Sequence, residues 1–269
     1  MNIAAIQRLR RLLADDQPTC GLWITLESPS ITEMAVACGL DWVVIDAEHG
    51  HLDWNHIVGH LRAAVRSSTV AMVRLAELNV GLVKRALDIG ADGVVLPWME
   101  TAEQVEQAVS FARYPPAGRR GIGGERATVW GHALVQHVAE ADPHVLVAPI
   151  IESVRAGRNI EAICTVPGAD FFFLGPADFS STAGYAGQWE GPGVAAELLR
   201  IKDVIRRQGK QCGILTGGHE GLLLRREQGF RLLGLGIDGG LLMGTLLAAL
   251  RAAGREPRIN PAFQPDLPQ

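Results

Sequence analysis

Charged side chains stand at the ends of apolar segments in several distant parts of the chain. Each segment has the length and composition of a buried strand. The charged or ionisable residues at these ends are Asp46, Glu48, His49, Arg74, Glu152 and Asp178. A parallel β/α barrel gathers the carboxyl ends of its strands at one face, so residues far apart in sequence can build one site there. The pattern therefore predicts a composite active site.

Glu152 and Asp178 follow two consecutive apolar segments. Adjacent parallel strands lie about 4.8 Å apart, so carboxylates at their ends can reach one ion. Two carboxylates with positions open to water and substrate suit a hard divalent cation better than zinc, and Mg²⁺ or Mn²⁺ is expected, with Co²⁺ as a further candidate. Alternatively, each carboxylate caps the helix that follows it. Capping explains less well why both occur at neighbouring strand ends.

Arg74, Asp46 and His49 could supply an electrostatic stabiliser and a base. An arginine in an apolar run needs an anionic partner or an oxygen acceptor, which Asp46 or Glu48 could provide. In functional terms, Arg74 could hold a keto oxygen and stabilise the charge that develops there. The Asp46 carboxylate, three residues before His49, could fix the imidazole tautomer and make His49 a general acid or base. The other seven histidines are predicted to be surface or structural.

The segment Gly175-Pro176-Ala177-Asp178 turns from a strand into a loop through small residues. The backbone N–H groups of Ala177 and Asp178 could receive a carboxylate or phosphate oxygen. This signal is weak alone, because any β/α turn exposes amides. No lysine ends a strand where it could form a Schiff base, which counts against covalent amine catalysis.

Strands and helices alternate along the chain. The eight candidate strands are residues 21–26, 42–46, 71–75, 93–97, 145–151, 171–174, 212–215 and 232–237. The amphipathic helices between them are residues 30–38, 54–67, 80–89, 102–113, 156–165, 194–208 and 220–228. Strands that are apolar on nearly every position are typical of a sheet buried on both faces. Eight of them in strict alternation with helices predict an α/β fold, a (β/α)8 TIM barrel.

We expect residues 1–269 to form a single barrel domain. An N-terminal helix is predicted within residues 1–18, and residues 255–269, rich in proline, are predicted to be an extended C-terminal arm. The longest irregular connection, residues 114–131, could be a lid or a subunit contact, although its glycines could equally be turn residues. Neither a GxGxxG sequence after the first strand nor a P-loop occurs, so nucleotide-binding folds lose their main support.

The amino-acid composition excludes several classes of binding partner. The net charge is −4 and no polybasic tract occurs, so nucleic acid and anionic membranes are not expected as partners. No apolar segment reaches the roughly 18 residues of a membrane span. The four cysteines, Cys20, Cys38, Cys164 and Cys212, lie apart without a CxxC spacing, which favours reduced packing residues in a cytoplasmic protein.

Several motifs together resemble the HpcH/HpaI-type class II pyruvate aldolases, including the 4-hydroxy-2-oxoheptane-1,7-dioate and 2-keto-3-deoxyglucarate aldolases. The resemblance runs in order from Gly21 to Ala252. The motifs that carry it are Gly21-Leu22-Trp23, Asp46-Ala47-Glu48-His49, Arg113-Tyr114-Pro115-Pro116, Arg120-Gly121-Ile122-Gly123, Ile151-Glu152-Ser153 and Gly175-Pro176-Ala177-Asp178.

The resemblance implies a metal-dependent aldolase that cleaves 4-hydroxy-2-oxo acids to pyruvate, released as its enolate, and an aldehyde. Glu152 and Asp178 would bind the cation, and Arg74 would contact the keto oxygen. His49 would handle the 4-hydroxyl proton, supported by Asp46, which would also support metal-bound water. The amides of Ala177 and Asp178 would bind the pyruvate carboxylate. Family members typically exchange their last helix and assemble as hexamers, trimers of dimers, and the apolar residues 241–250 suit that exchange or an ordinary final barrel helix.

Two departures from the family pattern and two alternative functions remain. Ile150 stands where several relatives carry glutamine two residues before the metal-binding glutamate, and Phe179 stands where leucine is common.

One alternative function is metal-dependent decarboxylation of oxaloacetate-like acids, which needs no proton acceptor at His49. The other is a non-catalytic barrel that binds keto acids. The presence of a base at His49 argues against it.

The aldehyde partner is not specified by these motifs. Specificity is expected in Trp23, Leu215, Val129-Trp130 and residues 114–131, alone or with residues of a neighbouring subunit. Arg119, Arg120 and Arg126 could favour an acidic aldehyde or could be solvated surface charges.

Overall fold

The computed structural model describes residues 1–259 and contains a closed barrel of eight parallel strands in the order of the chain. The strands are β1 (Thr19–Ile24), β2 (Trp42–Asp46), β3 (Val70–Arg74), β4 (Gly93–Leu96), β5 (Leu146–Ile151), β6 (Phe171–Leu174), β7 (Gln211–Leu215) and β8 (Leu232–Ile237). The predicted TIM-barrel fold is confirmed. Three strands have the predicted bounds, and the others differ by one or two residues at an end.

Helices surround the barrel and cover its amino end. They are α1 (Ile3–Ala14), α2 (Ser30–Ala37), α3 (Trp54–Ala64), α4 (Val80–Asp88), α5 (Ala102–Ala112), α6 (Leu134–Glu140), α7 (Val154–Arg158), α8 (Ile160–Ile163), α9 (Pro176–Thr182), α10 (Val194–Arg207), α11 (Gly218–Glu227) and α12 (Asp238–Ala252). None of the helices within residues 1–259 combines the length and the hydropathy that a membrane crossing requires.

Two helix predictions are corrected. The predicted helix 156–165 is two short helices, because Asn159 leaves the helical path and its side-chain amide donates to the Glu100 carbonyl. Helices α6 and α9 lie in segments read as irregular from the sequence. The connection 114–131 contains a 3-10 helix at Arg126–Thr128. Most of the predicted arm, residues 260–269, lies outside the described residues.

Aromatic rings fill the interior of the barrel. Trp23, Trp42, Phe171 and Phe173 are almost fully buried and meet edge to face, with ring centroids 5.2–6.3 Å apart. Glycine makes room for one of them, since a Cβ at Gly21 would lie 2.0 Å from the Trp42 ring. Small residues opposite large rings thus form a rigid floor beneath the carboxyl ends of the strands.

Candidate active site

A cavity of about 250 Å³ opens at the carboxyl ends of the strands. The predicted site residues that line it are Trp23, His49, Arg74, Glu152, Gly175, Pro176, Ala177, Asp178 and Leu215. The remaining one, Asp46, is buried at the end of β2 and contacts Arg74. The structure therefore brings together residues from six strand ends, as expected for a barrel site.

Glu152 is the most deeply buried carboxylate that lines the cavity. It directly follows β5, is 3% exposed, and its Oε1 accepts a hydrogen bond of 2.7 Å from the Trp98 N–H. Trp98 holds a left-handed backbone conformation, with φ of 54°, where the chain leaves β4. Burial, and then the charges of Glu48 and Asp178, raise the pKa of Glu152 to about 7, against the opposing effects of the Trp98 N–H and Arg74.

Neither carboxylate of the predicted metal pair caps a helix. Ser153 caps α7 instead, since its hydroxyl oxygen accepts from the Ala156 N–H at 3.1 Å. Asp178 lies in the first turn of α9, which begins at Pro176 and has no side-chain cap. Pairing of β5 with β6 places Ile151 beside Leu174, so the two carboxylates leave neighbouring strand ends. The capping alternative is therefore not supported, and cation binding stays a prediction.

Arg74 joins the β2 and β3 ends through ion pairs. Its partner in the β2–β3 register is Asp46, and its Nε and Nη2 both donate to that carboxylate, the first at 3.0 Å. Its Nη1 lies 3.0 Å from Glu48 Oε2. The guanidinium also lies 5.5 Å from the centre of the Trp23 ring. Both partners anticipated for Arg74 are confirmed, and they fix the guanidinium at the cavity wall.

Glu48 is a site residue that sequence reasoning treated only as a partner for Arg74. Burial raises the pKa of its carboxyl, an effect that Arg74 and His49 oppose and Asp46 and Asp178 reinforce. Its buried Oε2 makes no well-aligned hydrogen bond, although the charge of Arg74 is close. The sequence signal was its place in the same strand-end motif as Asp46 and His49.

His49 lines the cavity with its side chain exposed to solvent. Its backbone N–H donates to Asp46 Oδ1 at 3.2 Å, and the Glu48 N–H donates to the same oxygen at 3.0 Å. Asp46 thus positions the turn that carries His49. In this structure the Asp46 oxygens accept from the two amides and from Arg74, and control of the imidazole tautomer by Asp46 stays a prediction.

The cavity residues fit a hard divalent cation. Glu152 and Asp178 offer carboxylate oxygens, and the charge of Glu48, which pairs with Arg74, lies close enough to act on Glu152. Within residues 1–259 no three His, Cys, Asp or Glu side chains are grouped as a complete metal site. Two carboxylates are nevertheless the usual protein share at Mg²⁺, which keeps several waters and substrate oxygens in its coordination sphere.

Sequence comparison identifies the family. The profile described as HpcH/HpaI aldolase/citrate lyase matches residues 19–244. The chain belongs to this family. It is accordingly a carbon–carbon lyase, and dependence on a divalent metal is typical of the family.

Individual relatives agree with this assignment over nearly the whole chain. A hydroxypyruvate/pyruvate aldolase of Pseudomonas aeruginosa is 34% identical over 90% of this chain and 90% of its own length. A 4-hydroxy-2-oxovalerate aldolase of Novosphingobium aromaticivorans is 36% identical over 87% of this chain and 89% of its own. The crystal structure of an HpcH/HpaI aldolase/citrate lyase family protein from Burkholderia cenocepacia superposes with a TM-score of 0.87, at 33% identity, over 92% of this chain and 99% of that one.

Several candidates for specificity lie away from the cavity of this HpcH/HpaI family member. Arg126, Val129 and Trp130 line a separate cavity with Met1 and Asp92 at the amino end of the barrel. The Arg119 guanidinium lies over the Phe111 ring, 5.8 Å from its centre. Arg120 is buried, pairs with Asp88 at 3.0 Å and stacks on Tyr114.

Sequence reasoning missed part of the cavity wall. Phe173, Trp189 and Ile237 line the cavity, as does Ile150, which was noted only as a departure from the family pattern. Phe173 and Ile237 were assigned to strands without a role at the site. Trp189 lies between α9 and α10, in a glycine-rich connection that carries no periodic signal.

Proposed function

We propose that this family member is a divalent-metal-dependent aldolase that reversibly cleaves 4-hydroxy-2-oxo acids into pyruvate, or a related 2-oxo acid, and an aldehyde. The observation that carries the proposal is the convergence of Glu152, Asp178, Arg74 and His49 on one cavity. Two carboxylates for a cation, a fixed guanidinium and an accessible imidazole are the groups that such a cleavage needs.

Glu152 and Asp178 would hold the cation, with Mg²⁺ or Mn²⁺ preferred and Co²⁺ as a further candidate. When bound there, it supplies Lewis acidity toward the 2-oxo acid. The amides of Ala177 and Asp178, in the first turn of α9, would receive the substrate carboxylate, with Gly175 and Pro176 shaping the turn.

Arg74 and His49 would divide the work of the cleavage step. His49, directly or through water, removes the proton of the 4-hydroxyl, and the C3–C4 bond breaks as that oxygen becomes the aldehyde carbonyl. Negative charge develops on the former keto oxygen, where Arg74 stabilises it. A proton then returns to C3 to give pyruvate. Asp46 contributes by holding Arg74 and the His49 turn in place.

The test is pyruvate release from 4-hydroxy-2-oxo acids by the chelated protein, with and without added Mg²⁺ or Mn²⁺. We expect the metal to restore release, Glu152→Gln to abolish it, and His49→Ala to reduce it by a factor of about 10² or more. His51→Ala is the matched control, because His51 is also exposed and lies outside the cavity.

Two outcomes would replace the proposal. Metal-dependent decarboxylation of oxaloacetate that survives His49→Ala, without cleavage of any 4-hydroxy-2-oxo acid, would assign decarboxylation. Metal and keto-acid binding without turnover would assign a binding role.

We also propose a homohexamer, a trimer of dimers, in which α12 is exchanged between subunits. Helix α12 supports this because Asp238 is its one buried residue, although most of the helix is apolar.

We further propose a cytoplasmic location, which the four free cysteines support.

A further inference from the structure

We propose that the aldehyde partner is uncharged and apolar, with an aromatic or branched alkyl group, and that Trp189 is a specificity-determining residue for it. The inference rests on the proposed function, because it concerns the part of the same cavity that lies beyond the cation and the 2-oxo acid. The sequence left open whether the arginines of residues 114–131 favour an acidic aldehyde or are solvated surface charges, and this inference disfavours the first alternative.

The part of the cavity wall that has no role in the proposed reaction consists of apolar side chains. Its inner part consists of Trp23, Ile150 and Phe173, each no more than 6% exposed, and its outer part of Leu215, Trp189 and Ile237. Of these, Trp23 and Trp189 each carry one hydrogen-bonding group, the indole N–H, and the other four side chains carry none. Such a wall gains free energy by covering apolar substrate surface, about 25 cal/mol per Å² removed from water.

The cavity offers no cation for a second carboxylate. Among residues 1–259 its basic side chains are Arg74 and His49. In the proposed reaction Arg74, which is also paired with Asp46 and Glu48, serves the keto oxygen of the 2-oxo acid, and His49 transfers the proton. An acidic aldehyde would therefore bring an unpaired carboxylate into an apolar wall, a costly arrangement.

The negative charges around the cavity also disfavour an acidic aldehyde. Glu152 and Asp178 line the cavity, and Glu48 lies beside it, 3.0 Å from the Arg74 guanidinium. A cation would offset the charge of the 2-oxo acid but leave a distal carboxylate exposed to this negative potential. Arg119, Arg120 and Arg126 cannot compensate within one chain, because their side chains lie outside the cavity.

The residues on either side of Trp189, Gln188 and Glu190, make hydrogen bonds that hold this part of the chain in place. Glu190 Oε1 accepts a hydrogen bond of 2.7 Å from Arg225 Nη2, and Arg225 is itself largely buried on α11. The Gln188 N–H donates to the Tyr185 carbonyl at 3.0 Å, which closes a turn before Trp189. These contacts hold the chain on either side of Trp189, whose side chain lines the cavity, where a broad flat surface suits an aromatic or branched aldehyde.

The experiment measures aldol addition of pyruvate to matched aldehydes with the full-length, metal-loaded protein. In this direction a proton leaves C3 of pyruvate, C3 bonds to the aldehyde carbon, and the aldehyde oxygen takes a proton. Benzaldehyde and 3-methylbutanal are compared with succinic semialdehyde. We expect kcat/KM to be at least about tenfold higher for the two apolar aldehydes, the scale of hydrophobic-pocket discrimination.

Variants assign the preference to this wall. Trp189→Ala should raise the KM for benzaldehyde about tenfold with a smaller change in kcat, and Trp189→Phe should restore most of the loss. Leu215→Arg should shift preference toward succinic semialdehyde. Trp54→Ala is the control, since Trp54 is a tryptophan outside the cavity that stacks on Arg85. An equal effect of Trp54→Ala would overturn the role of Trp189.

A separate readout distinguishes failure of this inference from failure of the proposed function. Metal-dependent exchange of the C3 protons of pyruvate with deuterium needs no aldehyde. Normal exchange with a preference for succinic semialdehyde would overturn the apolar assignment and leave the aldolase intact. Absence of both exchange and addition would overturn both.

Discussion

At the scale of single residues, the neighbours of Glu152 oppose its ionisation. The carboxyl group is buried, and Glu48 and Asp178 add negative charge, so its pKa rises to about 7 in the metal-free protein. A divalent cation at this place would therefore compete with a proton. Burial disfavours the charged form of Glu152 when no cation is bound. It also strengthens the attraction between the carboxylate and a bound cation, because few water molecules screen that attraction.

The pKa of Glu152 predicts a pH dependence of stability in the chelated protein. The folded-state pKa lies above the ordinary value of 4.5, so between pH 4.5 and about 7 the folded state binds more protons than the unfolded state. The Glu152 contribution to the free energy of unfolding should therefore fall as pH rises through this window, by on the order of 3 kcal/mol in total. Urea unfolding at several pH values measures this.

Glu152→Gln supplies the control for that measurement. The amide does not ionise, so the variant should lose this part of the pH dependence and match or exceed the stability of the unaltered chelated protein at pH 8. A decline of the same size in both proteins would assign it to other groups.

A side chain added at Gly175 should displace the Glu152 carboxylate. A Cβ at this position would lie 2.6 Å from Glu152 Oε2 and 2.7 Å from its Cβ, too close for either atom to stay in place. Gly175→Ala should therefore weaken metal binding by a factor of about 10 to 10², similar to loss of a group that orients a ligand. Isothermal titration with Mn²⁺ tests this.

Gly217→Ala is the matched control for the glycine experiment. Gly217 precedes α11, its φ is −101°, and an added Cβ would meet no atom within 4 Å. We expect Mn²⁺ affinity close to that of the unaltered protein. Equal affinities in both variants would show that Gly175 does not position Glu152.

At the scale of elements, the strands were predictable and several connections were not. A strand such as β2 is apolar at four consecutive positions because both faces are buried, so sequence alone located Asp46 at its end. Register then placed Arg74 opposite Asp46. In contrast, Trp189 reaches the cavity through a connection held by the Glu190–Arg225 pair, and sequence patterns do not encode such long-range contacts.

The connection 114–131 is anchored by Arg120. Its side chain is 1% exposed, pairs with Asp88 at the end of α4 and lies 4.5 Å from the centre of the Tyr114 ring. The sequence left open a lid, a subunit contact or simple turns for this connection, and a substrate contact for its arginines, whereas the contacts of Arg120 tie it to α4, away from the cavity. Arg120 therefore acts on stability in this structure.

Arg120→Met should destabilise the protein without a specific loss of turnover. Removing the cation leaves the Asp88 carboxylate, whose side chain is only 13% exposed, without this partner, which costs about 3 kcal/mol in comparable buried pairs. We expect a lower urea midpoint with kcat/KM within about twofold of the unaltered enzyme below the transition. Arg119→Met, which removes a contact to Phe111 alone, should change the midpoint little. A large drop in kcat/KM for Arg120→Met would restore a substrate role.

At the scale of the whole molecule, the two ends of the barrel have different functions. Three aspartates, Asp41, Asp92 and Asp170, precede the even-numbered strands β2, β4 and β6. Each accepts hydrogen bonds from a backbone N–H of the preceding strand and from α1 or the residue before it. These bonds close the amino end, so the carboxyl end is free to carry the site.

Helix α12 carries the last prediction, because it presents apolar surface that its own barrel leaves uncovered. Leu242, Met243 and Leu246 are each about half exposed. If a second subunit covers this face, Leu242→Glu with Leu246→Glu should bury unpaired charge in the interface and reduce the assembly to smaller species. Light scattering coupled to size exclusion measures the mass, and Met34→Glu, which alters a separate exposed apolar residue on α2, should leave it unchanged. An unaltered mass in the double variant would contradict assembly through α12, while loss of assembly with an intact barrel by circular dichroism would show that this helix joins the subunits.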